Sequence, residues 1–383
     1  MEAHDISQED KWASVVNILP SDLEQSARQT GALERCRKVP NAMALMRLIL
    51  AYALSDFSLK DVAAWAAGLG IMDMTGPAFF YRLKGSEKWL EHVLGQLLSE
   101  GTGVQYQGLK LRIVDATVIT GPGSTGTDWR VHAMVNPETG EFESVELTDF
   151  KGGESYRRYA VQSGDIVLGD RAYGRAPGID RIVSQGGHVV ARLCPQTIRV
   201  CDLKRQRINL LSYEDQIPKM GAIGFNVLIP VPPDKTTKNR TWDLAKAKAW
   251  VPVRVVGART VKGTVIWVLT TLTAEEISDA TVLKLYRLRW QVELLFKRLK
   301  SQLHIDALPT RDGPTARSWI LARLLAAAIA QKMVQPAIPF FPRDGDPRRD
   351  RQLHAQPVLP ISHDSLGSSG SRDVHRGLVR HQR

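Results

Sequence analysis

Over residues 8 to 100 the apolar positions recur at helical steps. "NAMALMRLILAYAL" (41–54) is apolar almost all round and predicts a buried helix. In "SLKDVAAWAAGLG", Ser58 is a suitable N-cap with Asp61 at the third helical position, and Gly68 and Gly70 supply a stop. "TGPAFFYRLKGSEKWLEHVLGQLLSE" reads as two more helices jointed at Lys84-Gly85-Ser86. The period changes at residue 109. Leu109, Leu111 and Ile113 alternate in "LKLRIVDATVI", and Trp129, Val131, Ala133 and Val135 share one face of a second strand. After the "NPETG" turn (136–140) a third strand runs through Val145 and Leu147. "GDIVLGD" and "GGHVVARLC" predict two short buried strands.

Residues 195–273 break this rhythm. Pro- and Lys-rich loops such as "PVPPDKTTKNR" (230–240) alternate with the strands "WVPVRVVGAR" and "TVIWVLTTL", which turn at Val261-Lys262-Gly263. A helix begins near Ala274, and "TARSWILARLLAAAIAQKMV" (315–334) is a second, buried one. Residues 335–383 hold six prolines, eight arginines, four of the nine histidines and no lysine, with no period, and read as disordered or poorly packed. The pattern is an α/β chain: an all-α segment over 1–105, a mixed sheet over 106–193, a β-rich insertion over 194–274, a helical return over 275–334 and an aberrant tail over 335–383.

The net charge of +11 and the pI of about 9.6 favour a polyanionic partner, nucleic acid foremost. Tyr81, Arg82 and Lys84, on the second helix of a helix–glycine–helix pattern, suit a helix-turn-helix reader of DNA; a plain helical bundle suits them as well. The three cysteines, Cys36, Cys194 and Cys201, match no disulfide or zinc pattern and point to a reducing cytoplasm. The polar, acidic N-terminus is no signal peptide. The longest apolar run, from Trp319, carries Arg323 and is too short for a membrane span.

Candidate chemistry centres on "YRLRWQVELLFKRLK" (286–300), where five of fifteen residues are Arg or Lys and Glu293 is the lone acid. Wound as a single helix, it places Tyr286, Arg289, Glu293 and Lys300 on one stripe, opposite Leu288, Val292, Leu295 and Leu299. A solvated face with Glu293 paired to Arg289 or Lys297 would explain it. Two further acids weigh against so plain an explanation. Asp115 lies inside an apolar strand, and Asp170 closes "IVLGD"; carboxylates are unfavourable there without a reason. Three such acids in a basic protein suit an oxygen-ligand Mg²⁺ site, with the neighbouring cations on phosphates.

The spacing Y-(2)-R-(3)-E-(6)-K of Tyr286, Arg289, Glu293 and Lys300 resembles the signature of DDE-type insertion-sequence transposases, in the group named after insertion sequence four. Its chance occurrence is roughly a few in a thousand, so the motif is specific. "IVDATVI" is similar to the first acidic strand of that family. "GDRAYG" is similar to its D-x-x-Y motif, with Asp170 and Tyr173, and the β-rich gap before Glu293 to its insertion. The resemblance covers roughly residues 105–330 and implies a ribonuclease-H-like fold. It implies that Asp115, Asp170 and Glu293 are the catalytic acids and bind two Mg²⁺ ions, for which Mn²⁺ would substitute. It implies that Arg289 and Lys300 grip phosphates and that Tyr286 positions the strand. Trp267, in "IWVLTT", and Trp290 would accommodate a base flipped from the helix. Trp267 is otherwise a core residue of an alternating strand. Lys297 and Arg171 are weaker phosphate candidates.

The resemblance implies a bacterial enzyme of the cytoplasm, associated with the nucleoid and not with a membrane. It would cut double-stranded DNA at its element's terminal inverted repeats and join the freed 3′-hydroxyl elsewhere, as a homodimer on paired ends. The tail departs from the family, which continues in further helices. A simple Mg²⁺ nuclease, or a defective copy acting only as a helix-turn-helix DNA-binding protein, are the rival readings.

Overall fold

The computed structural model describes residues 8–34, 38–98, 105–106, 109–137, 139–233 and 242–334. The tail expected over 335–383, Cys36 and most of the 230–240 loop lie outside the described residues. The chain opens with helices α1 (Gln8–Val16), α2 (Leu23–Gln29), α3 (Ala42–Leu54), α4 (Leu59–Gly68), α5 (Gly76–Lys84) and α6 (Glu87–Leu97). Local chemistry starts them. Asn41 Oδ1 accepts the Ala44 N–H (2.8 Å) and caps α3. Ser58 and Asp61 form a reciprocal capping box on α4. As its all-round apolar pattern requires, α3 buries Leu45, Met46, Leu48 and Ile49 completely.

Strands β1 (Gln105–Tyr106), β2 (Leu109–Ile119), β3 (Trp129–Val135), β4 (Phe142–Asp149) and β5 (Ile166–Gly169) follow, then α7 (Ala176–Ser184) and β6 (His188–Leu193). The next strands are β7 (Val200–Cys201), β8 (Arg207–Ile208), β9 (Ala222–Val231), β10 (Ala249–Arg259) and β11 (Val265–Thr270). They do not build a separate sheet. The order is β4-β3-β2-β5-β6-β11-β10-β9-β7-β8, so the segment after β6 extends the first sheet through the antiparallel β6–β11 pair. β2, β3 and β4 are antiparallel, whereas β5 runs parallel to both β2 and β6.

Helices α8 (Asp279–Leu288), α9 (Trp290–Leu303) and α10 (Gly313–Val334) complete the described chain. The helix expected near Ala274 starts at Asp279, because Thr273 and Glu276 close a turn on each other and Ser278 caps the helix. The single helix expected over 286–300 is interrupted at Arg289, which separates α8 from α9.

The sheet divides two cores. One joins Leu111, Ile113 and Leu168 on one sheet face to α3, α6 and α8 to α10. The other joins Val114, Val167 and Val189 on the opposite face to Ile179 and Ile182 of α7. This is the period-2 alternation of a sheet buried on both sides. α10 packs on α3, α5, α6 and β4, so the N-terminal helices share their core with the sheet.

Candidate active site

Register brings the two strand acids together. β2 and β5 pair Leu111 with Ile166, Arg112 with Val167 and Ile113 with Leu168. Carried two residues onward, the same register sets Asp115 beside Asp170. A buried ion cluster fixes it from below. Arg112 Nη1 lies 2.9 Å from Asp165 Oδ2, and its Nε 2.9 Å from Glu143 Oε2. Lys110 Nζ is 3.3 Å from Glu143 Oε1. Glu143 is the extra residue of a bulge: Phe142 pairs with Val135 and Ser144 with Met134, which leaves Glu143 without a partner strand position. Bulges re-aim side chains, and this one delivers a carboxylate to Arg112. The fit is close but misaligned, because Arg112 Nε and both Glu143 oxygens make no hydrogen bond. Burial raises the Glu143 carboxyl above its ordinary range, against the pull of Arg112 and Lys110.

Burial pushes the Asp115 carboxyl up to about 7. A hydrogen bond from the Ala116 N–H (2.8 Å) and the charge of Arg289 oppose the rise; Asp170 and Glu154 add to it. Asp170 opens a turn, its Oδ1 accepting the Ala172 N–H (2.7 Å) and its carbonyl accepting the Tyr173 N–H (3.2 Å). Tyr173 is buried against Tyr156, with ring centroids 5.2 Å apart, and its hydroxyl lies 3.3 Å from that of Tyr159. This D-x-x-Y turn is thus anchored at both ends, by backbone and by core.

α9 packs on β2 and α8 on β5, which brings Arg289 within electrostatic reach of Asp115 and Tyr286 within that of Asp170. Glu293 Oε1 lies 2.6 Å from Arg289 Nη1. Arg289 also sits over the Tyr286 ring (5.7 Å) and within electrostatic reach of Asp115. Burial works against the Arg289 charge, but Tyr286, Glu293 and Asp115 outweigh it and raise its pKa. Burial also raises the Tyr286 phenol, with Arg289 and Arg192 opposing.

The expected metal set is therefore not assembled. Among the described residues, no three His, Cys, Asp or Glu side chains are gathered as a metal ion requires. The reason is local: Arg289 holds Glu293, and backbone N–H groups hold Asp115 and Asp170. Asp115 and Asp170 nevertheless fit a hard divalent cation. They are adjacent oxygen donors whose mutual repulsion a cation would relieve.

The other expected contacts divide. Trp290 is 39% exposed, and Lys297 and Arg171 are exposed as a phosphate contact requires; Lys300 is partly exposed. Trp267 is a correction. It is 3% exposed in the second core, against Phe225 and over Gly257, where a Cβ would come 2.7 Å from its ring. Its alternating strand turns it inward, so its face is not open to a base in this structure. On α5, Tyr81 is 72% exposed, but Lys84 pairs with Asp312 (3.0 Å) and Arg82 donates to the Ala32 carbonyl (3.3 Å). Glu154 escaped the sequence reading. It faces Arg130 at 3.8 Å and lies in the field of Asp170 and Asp115. Its one signal is an acid after the glycine pair of "KGGES".

Comparison with known proteins places the chain in a family. Residues 106–329 match the family model described as "Transposase DDE domain". An Escherichia coli K12 protein titled "Putative transposase InsL for insertion sequence element IS186A" is 32% identical over 359 residues, covering 87% of this chain and 96% of that protein. The Escherichia coli "Transposase for insertion sequence element IS421" is 32% identical over 360 residues, with the same coverage. A piggyBac transposase synaptic complex with hairpin DNA covers 93% of this chain at 8% identity, with a TM-score of 0.42, too low to bear on the fold. A chain that matches this domain over residues 106–329 and spans nearly the whole of such relatives belongs to the DDE transposase family and is a DNA transposase.

Proposed function

We propose that Asp115, Asp170 and Glu293 are the catalytic acids, and that they hold two Mg²⁺ ions, with Mn²⁺ a substitute. The observation that carries this reading is the β2–β5 register, which sets Asp115 beside Asp170 and leaves both under α8 and α9. When bound, the metal supplies activation of the attacking oxygen and charge stabilisation of the leaving oxygen of a phosphodiester. The residues of the chain supply the rest. Asp115 and Asp170, on and just after neighbouring inner strands of the sheet, would hold the metal. Arg289, Lys300, Lys297 and Arg171 grip phosphates. Tyr286 and the exposed Trp290 position the strand and cover an unstacked base.

The strand order β4-β3-β2-β5-β6 supports a ribonuclease-H-like core, and the Tyr286, Arg289, Glu293 and Lys300 spacing supports the group named after insertion sequence four. On this reading residues 1–105 bind DNA ends, 106–193 and 275–334 form the catalytic core and 194–274 the insertion. The enzyme works in the cytoplasm at the nucleoid, as a homodimer on paired terminal inverted repeats. The freed 3′-hydroxyl attacks the opposite strand or target DNA, with no covalent enzyme intermediate.

The test is a supercoiled plasmid carrying the DNA that flanks this chain's own gene, incubated with the protein and Mg²⁺. The reading predicts cuts at both element ends, free 3′-hydroxyls and joined products. Cuts scattered without regard to those ends, and no joined product, would mean a simple nuclease. Binding without any cut would mean a DNA-binding protein alone.

A further inference from the structure

The Glu293–Arg289 pair is not an ordinary helix-surface contact. The Arg289 side chain is only 16% exposed, and its Nε is buried without a hydrogen-bond partner. Arg289 occupies the break between α8 and α9, so its backbone is held by both helices. Its guanidinium lies between the Tyr286 ring at 5.7 Å and the Glu293 carboxylate at 2.6 Å. Its charge also reaches Asp115, whose other close charged neighbours, Asp170 and Glu154, are acids. One guanidinium therefore offsets Glu293 and Asp115 in a half-buried place, where an uncompensated charge is costly. Arginine cannot relieve this by losing its proton. Only an exchange of partners can.

We infer that Arg289 is the resident counter-cation of the acid site, holding Glu293 in an ion pair that competes with metal binding. The inference rests on reading Asp115, Asp170 and Glu293 as metal ligands. It describes a balanced exchange: Glu293 passes from Arg289 to the metal, and Arg289 passes from Glu293 to a phosphodiester oxygen. Each transfer favours the other, so metal loading and DNA engagement reinforce one another. It also gives the opposite sign to a plain supporting role. An arginine that merely braced the site would weaken metal binding when removed.

The test is a Mn²⁺ titration of the full metal-free chain without DNA, read by electron paramagnetic resonance of the unbound ion. Arg289→Gln should bind Mn²⁺ roughly tenfold more tightly than wild type. Arg287→Gln removes the same charge from an exposed position two residues away and should change affinity less than about twofold, since exposed charges are screened. Arg289→Met, of similar reach, should agree with Arg289→Gln and replaces it if that variant does not fold. Affinity in the Arg289 variants equal to or weaker than that of Arg287→Gln overturns the inference. Asp170→Asn separates the two levels: if it binds Mn²⁺ as wild type does, the acid reading itself falls, and the inference with it.

Discussion

In the metal-free protein Asp115 keeps its proton up to about pH 7, because burial and the neighbouring Asp170 disfavour its charge. The folded chain then binds this proton more tightly than the unfolded chain does. Its contribution to stability is full at acid pH and is lost as pH rises from the ordinary carboxyl range near 4 towards 7. Asp115→Asn should therefore melt at a higher temperature than wild type at pH 8 in a metal chelator, and the gap should close by about pH 4. Equal gaps at both pH values would contradict the raised pKa. Asp115 was legible in the sequence because a charge inside "LRIVDATVI" needs a cause. Glu154 was not, since a loop acid beside glycines is common and only the fold brings it near Asp170. Trp267 could be read either way, because strand alternation tells which positions share a face and not which face is covered.

Elements position these residues through contacts that leave little trace in the sequence. The helices were legible from period and caps, as at Ser58 and Asp61. The break at Arg289 was not, since no Gly or Pro marks it. Nor was the bulge at Glu143, which depends on a pairing between distant strands. The Arg112–Glu143–Asp165 cluster makes that pairing matter, because it joins β4, β2 and the entry to β5 beneath the acids. Removing one member of a buried ion cluster strands the others. Arg112→Leu should cost about 3–5 kcal/mol in chemical denaturation, and adding Glu143→Leu and Asp165→Asn should restore much of it. A single variant as stable as wild type would show that the cluster does not hold the register.

At the scale of the whole molecule, the sequence told the order of helical and β segments but not how they join. The strands after β6 read as an insertion, yet they continue the same sheet. The N-terminal helices read as a separate unit, yet α10 ties them into the core beneath the acids. Such joins rest on faces meeting at long range, which local pattern does not record. The joined framework has one consequence for function. It sets Asp115 beside Asp170 and packs α9, which carries Glu293, on β2 in a protein of net charge +11, and DNA supplies the opposing charge. The most direct measurement is Mg²⁺-dependent cleavage at the chain's own flanking DNA by Asp115→Asn, Asp170→Asn and Glu293→Gln, each confirmed as folded by its melting transition. Each should lose cleavage by about a thousandfold or more, since metal ligation and the activated oxygen are lost together. Any one of the three cutting within about tenfold of wild type would contradict the three-acid site.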